Sequence, residues 1–313
     1  MRVIGVLAIT IVVVGELLGR AYGLHHPVIY ERTHYGYRVA PNQEIVRFGN
    51  RIHYNEQGLR NESLSNRPGA GVARILCVGD SVANGGAITD QQETIPAQLE
   101  EFLRVHWSNV EVLNGSAPGW AIGNELGWLH SNGIFNSNLV VLIISTHDLF
   151  QALAPASTVD NHPSFPSSQP LFAMQEILHR YLLPKIWPGG SAVDPGAAGV
   201  NISDELAQRN LENLLAIDQL VRGQDGRLVV AFLEQAGDSG RDALTMGAKR
   251  NLFAQLRERQ IPVVTASTAV ENFGRNALFR DQVHPNLNGN RLIAEAIAVR
   301  LLATASSRAL SEN

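Results

Sequence analysis

Apolar residues fall along the chain in two textures. Short unbroken runs, Arg74 to Val78, Val110 to Leu113, Leu139 to Ile144, Leu228 to Leu233 and Ile261 to Val264, each end in a small or polar residue. Runs of this length, rich in Val, Ile and Leu and without alternation, suit strands covered on both faces of a parallel sheet. Between and after them lie stretches of helical period: Thr94 to Val105, Gly123 to Phe135, Ser203 to Arg222, Asp242 to Gln260 and Leu287 to Ala303. Strand and helix thus alternate five times, which predicts an α/β fold with a parallel sheet and right-handed crossovers.

Three segments depart from this pattern. Arg2 precedes an apolar run from Val3 to Leu18, broken only by Gly5, Thr10, Gly15 and Glu16, which reads as a targeting segment. Ala21-Tyr22-Gly23 offers small residues for signal-peptide cleavage, while Glu16 and Arg20 suit the interface of an uncleaved membrane anchor. Both readings stay open, and either places the remaining chain outside the cytoplasm, in the periplasm or beyond. From Pro27 to Pro68 the chain is polar and aromatic, and Glu44 to Phe48 and Arg51 to Tyr54 flank Gly49-Asn50, a favoured two-residue hairpin turn. Leu149 to Val200 holds seven of the fourteen prolines and one helix-like patch, Phe172 to Tyr181. It reads as a long insertion, either a lid or binding loop beside a catalytic face or a surface excursion. The expected plan is a targeting segment at 1–24, a hairpin-containing extension at 25–70, an α/β domain at 71–305 with an insertion at 149–200, and a tail at 306–313.

Composition narrows the function classes. The 313 residues carry 25 Lys and Arg against 29 Asp and Glu, a net charge near −4, so a dedicated nucleic-acid binder with a basic stripe is excluded. The single cysteine, Cys77, rules out a disulfide framework and a thiolate zinc site within the chain. His25, His26 and His34 lie in what reads as a polar linker, so no metal and no cofactor is expected.

In an open parallel sheet, ligands bind beyond the carboxyl ends of the strands. The residues there are Gly79-Asp80-Ser81, Asn114 to Gly119, Ser145-Thr146-His147-Asp148 and, after a loop, Asp281 to Pro285. A serine, a histidine and an aspartate projecting from one sheet edge supply a nucleophile, its general base and the carboxylate that orients the base. A second Gly-Asp-Ser, Gly237 to Ser239, precedes a helical stretch and reads as a helix cap.

The order and separation of these blocks resemble the SGNH or GDSL hydrolases. Gly79-Asp80-Ser81 and Asp281 to His284 match that family's first and last blocks, and Gly119 matches the glycine whose N–H points at the oxyanion. The third block departs, because Ser145-Thr146-His147-Asp148 puts His147 where the family has its oxyanion asparagine. Upstream, Gly36 to Arg38, Pro41 to Gln43 and Asn55 to Arg60 look like the extension on membrane-anchored SGNH proteins of polysaccharide systems. The resemblance implies a flavodoxin-like three-layer α/β/α sandwich with a five-stranded sheet ordered 2-1-3-4-5. It also implies a serine esterase with Ser81, His284 and Asp281 as the triad, and Ser81, Gly119 and His147 at the oxyanion hole. The implied substrate is an acyl ester, foremost an O-acetyl group on an extracellular polysaccharide. An acyltransferase using the same triad is the nearest alternative. A non-catalytic polysaccharide-binding or assembly protein is the other, with Trp107, Trp120, Trp128 and Trp187 as sugar-stacking candidates.

Overall fold

The computed structural model describes residues 2–65, 67–186, 202–234, 243–265 and 273–309. Gly237 to Ser239 and Trp187 lie outside them. The five apolar runs form β5 (Ala73–Gly79), β6 (Val110–Asn114), β7 (Leu139–Ser145), β8 (Arg227–Leu233) and β9 (Val263–Thr265), all parallel, in the order β6-β5-β7-β8-β9. Counted from the first strand of the sheet this is 2-1-3-4-5, the order implied by the resemblance.

The strands alternate in the face they present. Leu76, Val78, Val140, Leu142, Val230 and Phe232 point to one side, where they pack with α4 (Ile122–Asn132), α5 (Asp204–Arg222) and α6 (Ala243–Glu258). Ile75, Cys77, Val141, Ile143, Val229 and Ala231 point to the other, against α3 (Ile95–Arg104) and α7 (Leu287–Ala309). Burial on both faces is why these strands carry no polar alternation. Ser203 caps α5 through the Leu206 N–H, and Thr94 caps α3 through the Ala97 N–H.

The upstream segment is richer than one hairpin. β1 (Tyr30–Thr33) pairs with β2 (Gly36–Val39), and β3 (Gln43–Arg47) pairs with β4 (Asn50–Tyr54). The second turn is Phe48-Gly49, one residue earlier than expected, with φ of 53° and 83°. Positive φ at both central residues is the type I′ geometry that matches strand twist, and Gly49 takes the second position without strain. Tyr30, Tyr35, Tyr37, Ile45, Ile52, Tyr54 and Leu59 are buried in the same core as Leu76 and Trp120. The two hairpins therefore pack onto the α/β body and are not a detached extension.

The apolar run at the start forms α1 (Arg2–Ala21), and its Val3–Ala21 stretch is long and apolar enough to cross a membrane. The helix-like patch of the insertion is observed as Ala173–Glu176, continued by a wider π turn at Ile177–Leu182 and by Leu183–Ile186.

Candidate active site

Gly79 ends β5 where a side chain has no room, since a Cβ would lie 2.7 Å from the Ile143 carbonyl oxygen and 2.9 Å from Ala83 Cβ. The chain then turns into α2 (Ser81–Asn84), with Asp80 as its cap accepting from the Val82 N–H at 2.8 Å. Ser81 is half-buried at this turn. His284 enters from the loop before α7, and its Nε2 lies 2.9 Å from Ser81 Oγ. Its Nδ1 faces Asp281 Oδ2 at 2.9 Å, while Asp281 Oδ1 accepts the backbone N–H groups of Val283 and His284. Partial burial works against ionisation of Asp281, but those N–H groups and the His284 ring outweigh it and hold the carboxyl below the usual range. A hydroxyl, an imidazole and an ionised carboxylate thus form one hydrogen-bonded row.

The loop after β6 is held from several sides. Gly119 has φ of 75°, a left-handed conformation that favours glycine. Its carbonyl accepts from Gln151 Nε2 at 3.0 Å, Tyr37 Oη donates to the Pro118 carbonyl at 2.7 Å, and Trp120 Nε1 donates to the Tyr37 carbonyl at 2.8 Å. Trp120 is thereby a buried packing residue, as is Trp128.

His147, expected as an oxyanion donor, has both ring nitrogens engaged with neighbouring side chains. Its Nδ1 is engaged with Ser145 Oγ at 2.6 Å, and its Nε2 faces Asp80 Oδ2 at 3.1 Å and Asp148 Oδ1 at 3.3 Å. The ring links Ser145 to the Asp80 carboxylate beside Ser81. Burial opposes ionisation of Asp80, but the hydrogen bond and charge of His147 and the Val82 N–H outweigh it and lower its pKa. Asp148 goes the other way, pushed up by burial to about 7. Glu125 on α4 is fully buried, its pKa raised well above the ordinary value by that burial and by Asp148 and Asp80, and neither carboxyl oxygen has a hydrogen-bond partner among the described residues. Asp80, His147 and Asp148 are near enough to share a cation, each with a ligand atom within 4.8 Å of the others, but direct hydrogen bonds already join His147 to Asp80.

The sequence reading missed the residues that fix the nucleophile loop. Arg60, fully buried, donates to the carbonyls of Asn84 and Thr89 at 2.6 Å and of Gly86 at 2.7 Å. Asn84 joins Tyr54 Oη to the Ser116 carbonyl, and Arg280 reaches Thr89 Oγ1 at 3.2 Å from the His284 loop. The carbonyls that Arg60 binds lie 24 to 29 residues further along the chain, so its role leaves no local signal. A cleft of about 850 Å³ lies at the opposite, amino-terminal ends of the strands, lined by Ala73, Leu139 and Arg227 among others, and is separate from this site.

No family model and no curated protein matches the chain. Among solved structures, it is similar to a protein assigned to the G-D-S-L lipolytic family in Desulfitobacterium hafniense, at 12% identity and a TM-score of 0.46, over 72% of this chain and 98% of the other. It is also similar to an acetylxylan esterase from Geobacillus stearothermophilus, at 14% identity and a TM-score of 0.44, over 72% and 92% of the two chains. A lipolytic protein of the G-D-S-L family from Veillonella parvula aligns at 16% identity and a TM-score of 0.42, over 72% and 96%. The strand order, with Gly79-Asp80-Ser81 and Asp281 to His284 meeting at the carboxyl edge of the sheet, is the arrangement that the resemblance implies.

Proposed function

We propose that this chain is a serine esterase. The observation that carries the reading is the row from Ser81 Oγ to His284 Nε2, 2.9 Å, and from His284 Nδ1 to Asp281 Oδ2, 2.9 Å. Ser81 Oγ attacks the ester carbonyl carbon as its proton passes to His284 Nε2, and Asp281 steadies the resulting imidazolium. The oxyanion is met by the N–H groups of Ser81 and Gly119, preorganised by the anchored loop. Collapse returns the proton to the departing alkoxide and leaves an acyl group on Ser81. Water, deprotonated by His284, then releases the acid and restores the serine.

The substrate we assign is an O-acyl, foremost O-acetyl, ester on an extracytoplasmic polysaccharide. Support comes from α1, which is long and apolar enough to cross a membrane, and from the upstream resemblance to proteins of polysaccharide systems. The test is labelling with a fluorophosphonate followed by peptide mapping. The adduct is expected on Ser81 and absent from Ser81→Ala, whose turnover on an acetyl ester should fall by several orders of magnitude. Near-normal hydrolysis by Ser81→Ala would remove the assignment.

A further inference from the structure

The carboxyl half of α1 is built into the fold. Glu16 accepts the backbone N–H groups of Ala173 and Met174, at 3.1 and 3.0 Å, and so closes the open end of the insertion helix. Arg20 binds Glu16 at 2.6 Å and donates to the Leu171 carbonyl at 2.9 Å. Gly15 and Gly19, four residues apart, let the two helices touch: a Cβ on Gly19 would lie 2.7 Å from Ala173 Cβ, and one on Gly15 would lie 3.0 Å from Met174 Sδ. At the helix end, Arg47 donates to the Gly23 carbonyl at 2.7 Å and is paired with Glu176, binding the insertion helix to β3 as well. A disposable leader has no need of such contacts.

The piece held there exposes an apolar surface. Leu171 is 79% exposed, Phe172 58% and Ile186 64%, and Leu178, Tyr181, Leu182 and Leu183 are exposed with them. Leu178, Leu182 and Ile186 recur every fourth residue, so they share a helix flank. The depth of this surface follows from α1. Thirteen residues separate Val3 from Glu16, or roughly 20 Å of helix at 1.5 Å per residue. A hydrocarbon core is about 30 Å thick. If Val3 begins the span, the docking point at Glu16 to Arg20 lies short of the far interface, and whatever is fastened there is drawn against the acyl boundary.

We infer that α1 is retained in the mature protein and that α1 and the insertion segment 171–186 form one membrane-seated unit, the segment's apolar flank resting in the headgroup and acyl boundary of the bilayer. This rests on reading α1 as a membrane segment and adds that the insertion is its interfacial partner. Lys185, exposed on the same helix, suits a lipid phosphate.

The experiment uses the full-length protein in phosphatidylethanolamine/phosphatidylglycerol vesicles. Phe172→Cys, Leu182→Cys and, as a control, the exposed Val105→Cys are labelled with an environment-sensitive dye; Cys77 is fully buried and stays unlabelled in the fold. Brominated lipids should quench the dye at 172 and 182 at least twofold more than at 105, on protein whose mass retains residues 1–23. Adding Gly19→Leu should abolish that excess while the protein stays in the carbonate-resistant membrane fraction. An intact, membrane-integrated chain with equal quenching at all three sites overturns the inference but leaves the anchor. Loss of residues 1–21 from the mature protein overturns both.

Discussion

The ion pair between Arg47 and Glu176 gives a quantitative handle on how the insertion is held. The two side chains are 1% and 6% exposed and bonded through both guanidinium Nη atoms, across 129 residues of sequence. Arg47→Ala strands the Glu176 carboxylate with Arg180, 3.3 Å away and 28% exposed, as its remaining ion-pair partner among the described residues. Removing one partner of a buried pair costs about 3–5 kcal/mol, and Arg180 places the expected loss at the lower end, about 3 kcal/mol. At 1.4 kcal/mol per factor of ten, that is a loss of amide protection of more than about a hundredfold. Hydrogen exchange of the Ile177–Leu182 amides reads this directly. Replacing both partners by apolar residues, Arg47→Met with Glu176→Leu, should restore protection to within about 1 kcal/mol of the parent, because the desolvation penalty leaves together with the attraction. Protection in Arg47→Ala within a factor of four of the parent would show that the pair does not hold the insertion.

Glu125→Gln should stabilise the protein more at pH 8 than at pH 5: a carboxyl raised by folding favours its protonated form, so stability falls as pH climbs from the unfolded value through the folded one, and the amide lacks this titration. Melting temperatures across pH 5–9 check it, and parallel curves for the two proteins would refute it. Gly115→Ala would drive a Cβ into the Trp128 ring and should cost about 1–3 kcal/mol in urea unfolding; an unchanged midpoint would contradict the packing. His147→Ala removes a hydrogen bond to the Asp80 carboxylate and should cost about 1.5–3 kcal/mol of stability, with turnover falling less than a hundredfold. A turnover loss of about a hundredfold to a thousandfold at unchanged stability would restore the oxyanion role.

The sheet was legible because each strand is covered on both faces and so appears as an unbroken apolar run; all five fall within about two residues of the expected positions. The strand order could not be read from those runs, since every one of them is equally apolar, and it came through the resemblance. Ser81, Asp281 and His284 were legible from their places after strands and before the last helix. What stayed hidden depends on partners far along the chain. The β1–β2 hairpin buries tyrosines that look like scattered polar residues until Pro118, Trp120 and Phe165 are seen packed against them. His147 meets Asp80 across 67 residues of sequence, so that contact leaves no local signal either.

The three carbonyls gripped by Arg60 also bear on where the working unit begins. Asn84, Gly86 and Thr89 belong to the loop that follows Ser81, whereas Arg60 belongs to the segment ahead of the sheet. A chain cut to residue 71 would retain every strand of the parallel sheet, with Ser81, Asp281 and His284, yet leave three carbonyls facing an empty socket beside the serine. The segment ahead of the sheet and the turn that carries Ser81 are therefore one mechanical unit, and shuffling the α/β body alone onto another leader would transplant the scaffold without the brace that sets that turn.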